Sequence, residues 1–220
     1  MKLRVLCQWL VIGAFVLGAA QPVSAQGTKR ASEPTQAGTR LETTYRGGLV
    51  SPPLPKPRFI LTDTSGLPFD LWPKTQGHVT LLFFGYTHCP DMCPLQMSII
   101  GSALKKIPAD VADHFKVVFV TTDPGRDTPS TLRSWLDHFD KRFIGLTGSD
   151  AAIRAAEIAA NIPPAEKSAV RPDGTYDVGH AAFALAYTKD NLAHVIYPVG
   201  VKLEDLIHDL PLLVGETWGR

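Results

Sequence analysis

Cysteine is scarce in this 220-residue chain: there are three, too few for the disulfide framework of a small secreted scaffold. A surplus of charge is missing as well. With 22 Lys and Arg against 21 Asp and Glu, the formal charge is +1, which excludes a strongly basic nucleic-acid binder and an acidic disordered tail protein. Long apolar runs are absent beyond one. Val5 to Ala20 is interrupted only by Gln8 and falls short of the roughly 20 apolar residues that span a bilayer. No internal repeat of useful period is visible. What is present, 45% hydrophobic residues, fits one domain of about 100–200 residues with trimmings, able to bury its own core.

The single apolar run reads as an export signal. Lys2 and Arg4 supply the basic start, Pro22 breaks the helix, and Val23-Ser24-Ala25 has the small-x-small form that signal peptidase needs. Residues 1–25 are therefore expected to be a cleaved signal peptide and the protein periplasmic. The alternative is inner-membrane anchoring through uncleaved residues 5–20. Cys7 lies inside the run, too early for a lipoprotein cysteine. Cleavage removes Lys2 and Arg4 and leaves 20 basic side chains against 21 acidic ones, with two cysteines, Cys89 and Cys93. Outside the cytosol, such a close-spaced pair is a redox couple or a metal site. Residues 26–57 are rich in Gly, Thr, Ser, Gln and Pro and end in Ser51-Pro52-Pro53-Leu54-Pro55-Lys56-Pro57. They read as a flexible linker with an extended proline end. The domain proper is expected over residues 58–220.

Within it, Phe59 to Thr62 and Leu67 to Leu71 flank Asp63-Thr64-Ser65-Gly66, a strand–turn–strand pattern. His78 to Gly85 and Lys116 to Thr121 are nearly continuous apolar runs, as expected for strands buried on both faces. Pro94 to Ile107 carries a helical stripe of Leu95, Ile99, Ile100, Ala103, Leu104 and Ile107. A second helix begins at Thr128-Pro129, Phe143 to Leu146 suggests a short strand, and Ser149 or Asp150 caps an alanine-rich helix. His180 to Tyr187 and Ala193 to Tyr197 read as paired strands around the turn Lys189-Asp190-Asn191. A last helix carries Leu203, Leu206, Ile207 and Leu210, with Pro211 expected to end or kink it. The order predicts an α/β fold: a thioredoxin-like central sheet flanked by helices, with an extra N-terminal β-hairpin.

The chemistry concentrates in Gly85-Tyr86-Thr87-His88-Cys89-Pro90-Asp91-Met92-Cys93-Pro94, between a buried strand and a helix start. Open α/β sheets place sites at the carboxyl ends of their strands, and a helix N-terminus favours thiolate. Cys89 and Cys93 are spaced C-x-x-x-C, one residue wider than the C-x-x-C of thioredoxin-type enzymes. The wider spacing lets two sulfurs converge on a guest atom or close a looser disulfide. Two thiolates leave a soft metal under-coordinated, and the best third ligand is His180, which follows a stretch from Ile162 to Gly179 with no clear element. Two sulfurs and one imidazole suit Cu(I) and also accept Cu(II); zinc prefers a fourth ligand. His78, His114, His138, His194 and His208 read as surface residues. His88 is a neighbour able to tune the thiolates, and Met92 and Met97 read as loop filler and core.

These residues make the sequence resemble the Sco/SenC family of exported copper proteins over about residues 55–215. The segment Gly85 to Pro94 looks like the family's metal loop, Asp123-Pro124-Gly125-Arg126-Asp127-Thr128-Pro129 like its D-P-x-R-D-T-P stretch, and Gly179-His180 falls at its ligand histidine. The resemblance implies copper bound by Cys89, Cys93 and His180, and a metallochaperone role in assembling the binuclear copper site of cytochrome c oxidase subunit II. It also implies an alternative: a thiol–disulfide oxidoreductase that keeps the subunit II cysteines reduced through Cys89 and Cys93, or a redox or copper sensor. Other periplasmic copper or thiol-redox proteins are further partners in view, and nucleic acid is not. The chain departs from the family in one place: Gly179 stands where an acidic residue is usual, and Asp177 is the nearest substitute.

Overall fold

The computed structural model describes residues 45–215 and Trp218. The expected signal peptide, the apolar run 5–20 and most of the expected linker lie outside the described residues. Among the described residues no helix is long and apolar enough to cross a membrane.

The strands are β1 (Gly48–Pro55), β2 (Ile60–Asp63), β3 (Pro68–Asp70), β4 (Val79–Gly85), β5 (Phe115–Thr121), β6 (Ile144–Thr147), β7 (Glu166–Lys167), β8 (Val178–Gly179), β9 (Phe183–Tyr187) and β10 (Leu192–Pro198). The helices are α1 (Leu71–Thr75), α2 (Met92–Lys106), α3 (Ala109–Ala112), α4 (Pro129–Asp137), α5 (Asp150–Ala159) and α6 (Leu203–Gly215). Eight strands form one sheet in the order β1-β10-β9-β4-β5-β6-β2-β3. The β4–β5 and β5–β6 pairs are parallel and β9 runs antiparallel to β4. The expected hairpin is β2–β3, paired Ile60 with Asp70 and Thr62 with Pro68.

The central strands have a core on each face. Leu81 and Phe83 of β4 join α2, α4 and α6 on one side. Leu82 and Phe84 join α5 and the α1 start on the other. That is why the runs read as unbroken: neither face of β4 sees water. The helices begin where local chemistry lets them. Thr128 accepts a hydrogen bond from Thr131 N with Pro129 in the first turn, and Ser149 accepts one from Ala152 N.

The expectations need correction at several places. Gly48–Pro55, assigned to the flexible linker, is a strand that pairs antiparallel with β10. Its prolines lack the N–H of a ladder, which an edge strand tolerates. Its entry is held by the buried Asp209 of α6, which accepts from Arg46 N at 2.9 Å, Gly47 N at 2.9 Å and Tyr197 OH at 3.2 Å. The stretch 162–179, read as lacking elements, contains the short β7–β8 hairpin. Pro211 does not end α6, which runs on to Gly215. His194 is not a surface residue: its ring stacks on Trp218 at 4.0 Å and its Nε2 lies 2.7 Å from Asp190.

Lys56, just past β1, is buried with its Nζ donating to Thr80 Oγ1 at 3.2 Å and Thr75 Oγ1 at 3.3 Å. Burial pulls its ammonium down to about 8, against the attraction of Asp190. A value below the ordinary 10.5 means that the folded state binds this proton less tightly than the unfolded chain. The charged lysine therefore opposes folding below pH 8, and the penalty fades as pH rises towards 10.5. Lys56→Met is expected to raise the melting temperature at neutral pH by several degrees and to flatten the native protein's gain in stability above pH 8. Thermal unfolding by circular dichroism at a series of pH values checks this; a lower melting temperature at neutral pH contradicts it.

Candidate metal centre

The dithiol loop leaves β4 at Gly85 and turns into α2. Space dictates the glycine: a Cβ there would lie 2.7 Å from Cys93 Sγ and 2.7 Å from the Phe83 ring. The turn closes with Cys89 N on Tyr86 O at 3.2 Å. Asp127, fully buried, holds it from the next loop. Its carboxylate accepts from Thr87 N at 2.9 Å, Thr87 Oγ1 at 2.5 Å and Thr121 Oγ1 at 2.6 Å. Cys93 sits in the first turn of α2, fully buried, and its N–H points at Cys89 Sγ, 3.4 Å away. The sulfur of Cys89 thus takes the place of a side-chain cap that Asp91 does not provide.

His180 directly follows β8 and lies three residues before β9, the strand expected to begin with it. Its ring stands edge-on to Tyr86 at 5.6 Å and to Phe83 at 6.0 Å, centroid to centroid. Nδ1 lies 2.9 Å from the carbonyl of Ala181. A carbonyl only accepts, so Nδ1 carries the proton and Nε2 presents its lone pair. That lone pair faces Cys93 Sγ at 3.4 Å. The two sulfurs and one ring nitrogen all lie within 4.8 Å of one another. The three residues selected from the sequence are therefore brought together.

Burial pushes the Cys93 thiol well above its ordinary value, and the neighbouring Cys89 adds to the rise, while the Tyr86 backbone opposes it. The helix start expected to favour thiolate is outweighed at Cys93 by the loss of water. Burial also holds the His180 imidazole below its usual value, partly offset by the backbone of Ala181 and Phe84. The empty-handed chemistry is thus a neutral thiol against a neutral imidazole. A soft cation at that point replaces the thiol proton, and metal binding releases it. The donor set, two sulfurs and one imidazole, fits copper, and an open groove lined by Pro163, Pro164, Ala181 and Phe183 reaches His180 from solvent.

The other candidates stand apart. His88 is half exposed, with its Nδ1 at 3.1 Å from Thr87 Oγ1 and 3.5 Å from Asp127. Asp177 pairs with Arg171 and does not orient His180; the carbonyl of Ala181 does. Met92 is exposed and Met97 is buried in the core. Within the D-P-x-R-D-T-P stretch, Asp127 is the carboxylate that holds the dithiol loop. Its signal was the Thr87 hydroxyl two residues before Cys89.

A family model described as SCO1/SenC matches residues 51–214. The chain belongs to the SCO1/SenC family. Its fold is that of the apo Sco1 protein of Thermus thermophilus, at a TM-score of 0.69 and 32% identity, covering 78% of this chain and 98% of that one. The copper-bound ScoI of Bradyrhizobium japonicum is similar at a TM-score of 0.65 and 32% identity, over 73% of this chain and 99% of the other. A relative in Stutzerimonas stutzeri that carries copper binding in its name is 33% identical over 162 residues, 72% of this chain and 76% of its own. The match spans 63% of an SCO2-like protein of Rickettsia prowazekii and 41% of the yeast mitochondrial protein SCO2.

In this SCO1/SenC domain the missing side chain at position 85 is as much a part of the candidate site as Cys89, Cys93 and His180. Gly85→Ala is expected to lower stability by about 1–3 kcal/mol through overpacking and to displace Cys93 outward. Denaturant unfolding together with the rate of thiol modification by an aromatic disulfide reagent checks both. Unchanged stability and an unchanged thiol rate would mean that the close approach is not a constraint.

Proposed function

We propose that the protein is an exported copper carrier that holds one copper ion between Cys89, Cys93 and His180 and delivers it to the copper-bearing subunit II of cytochrome c oxidase. The observation that carries this reading is the convergence of the three donor atoms within 4.8 Å, with His180 Nε2 facing a buried sulfur. A copper-bound relative at 32% identity supports the metal, and the Sco family's description as cytochrome c oxidase assembly proteins supports the partner. Two sulfurs favour Cu(I) as the ion carried, and the imidazole extends the site to Cu(II). Residues 1–25 support delivery on the periplasmic side. Other copper or thiol-redox proteins of that compartment are secondary recipients.

A second reading rests on Cys89, in the loop before α2, lying against the first turn that carries Cys93, with the Cys93 N–H aimed at Cys89 Sγ. The pair would reduce a disulfide of subunit II. Two thiols here become the Cys89–Cys93 disulfide, and the partner disulfide takes up the two electrons and two protons as two thiols. The two readings part at His180, which metal transfer needs and disulfide exchange does not.

Titration of the reduced protein with Cu(I) against a competing chelator is expected to give one equivalent per chain. Cys93→Ala is expected to abolish tight binding and His180→Ala to weaken it at least about tenfold, while His180→Ala still exchanges with a model disulfide. Full stoichiometry and affinity in His180→Ala would remove the three-ligand site and leave the redox reading.

A further inference from the structure

The copper site has two arms, the dithiol loop and the β7–β8 hairpin, which meet at Tyr86: its side chain bonds to the Val178 backbone and its ring stands against His180. A third segment is fastened to both arms. Asp123 and Asp127 lie one turn apart after β5, with Asp127 N on Asp123 O at 2.9 Å, and both carboxylates are fully buried at the rim of the sheet. Thr122 N bonds to Gly85 O at 2.7 Å, so this segment is tied to the β4 end from which the dithiol loop departs. Asp127 accepts both donors of Thr87, in the dithiol loop. Asp123 points to the other arm: it accepts from the Tyr176 hydroxyl at 2.8 Å and from Lys167 Nζ at 3.3 Å, one residue on each side of the hairpin.

Arg126, between the two carboxylates, completes the grip. It forms an ion pair with Asp123, donates to the Tyr176 carbonyl at 3.3 Å, and lays its guanidinium over the Tyr176 ring at 3.8 Å. The same guanidinium lies 5.7 Å from the Tyr86 ring, the ring against which His180 stands. From these contacts we infer that residues 123–127 are a positioning device for both arms of the copper site. Asp127 sets the sulfurs, and Asp123 with Arg126 sets the imidazole through Tyr176. This rests on the copper reading only for its consequence; the mechanical claim concerns the protein alone. A planar guanidinium with one fixed fork suits such a junction better than a flexible ammonium.

The device makes the two arms separable by substitution. Tyr176→Phe removes one hydroxyl from a half-buried ring and keeps its packing. It is expected to speed amide hydrogen exchange at Lys167, Val178 and Gly179 about tenfold, to change the copper hyperfine splitting of the Cu(II) form, and to weaken Cu(I) binding about tenfold. The Cys89–Cys93 reduction potential stays at the native value. Asp127→Asn is expected to do the reverse, shifting that potential while hairpin exchange stays native. Asp123→Asn reproduces Tyr176→Phe if it folds, and Tyr176→Phe decides the matter if it does not. Native hairpin exchange and a native Cu(II) spectrum in Tyr176→Phe would overturn the inference, as would identical effects of Tyr176→Phe and Asp127→Asn on both arms. Failure of the native protein to bind copper would overturn the proposed function instead, with hairpin exchange and dithiol potential still deciding this point.

Discussion

The structure turns on a thiol buried beneath an imidazole. Cys93 has no exposed surface, and His180, 87 residues later, places Nε2 3.4 Å from its sulfur. Burial alone disfavours the charged form of either group, which leaves each as a neutral partner of the other. A cation that bonds to both sulfur and nitrogen compensates for the water that each has lost. Much of the local architecture serves that contact: a glycine at position 85 because a Cβ has no room, a carbonyl on Nδ1 so that Nε2 is free to bind, and aromatic edges around the ring.

Buried polar groups at the two ends of the sheet have different work. At the site end, Asp123 and Asp127 are each saturated with donors drawn from the segments that carry the ligands. Away from it, Asp209 gathers the start of β1 onto α6 and Lys56 rests on two threonine hydroxyls. Those contacts fix the edge of the sheet and touch no ligand. Satisfied carboxylates of this kind resist movement because losing one partner leaves an uncompensated buried group. For Asp123, burial opposes the charge, and the hydrogen bonds from Arg126 and Tyr176 outweigh it and hold the carboxyl below its ordinary range. The hairpin is therefore fastened by an ionised group throughout the neutral range, and loses that fastening only in acid.

The central strands, the capped helices α4 and α5 and the three residues that converge at the candidate centre were legible in the sequence. Continuous apolar runs, Thr128-Pro129 and C-x-x-x-C are short-range signals with a direct physical cause. The parts that were not legible depend on tertiary contacts. Gly48–Pro55 has the composition of a linker and becomes a strand only because β10 offers an edge that tolerates proline. The β7–β8 hairpin is two residues on each side, too short for any periodicity, and its contacts with Asp123 and Arg126 through Tyr176 are remote in sequence. Pro211 reads as a stop, yet α6 continues on the packing of Leu206, Leu210 and Leu213. His194 gave no sign of a stack because its partner, Trp218, lies at the other end of the last helix.

The account requires that the sulfurs and the imidazole bind one ion together. X-ray absorption at the copper edge of the reduced, copper-loaded protein measures this directly. The expected result is two sulfur scatterers and one nitrogen scatterer per copper in the native protein, with the imidazole signature lost in His180→Ala. A sulfur-only first sphere in the native protein, or a spectrum that His180→Ala leaves unaltered, would contradict it.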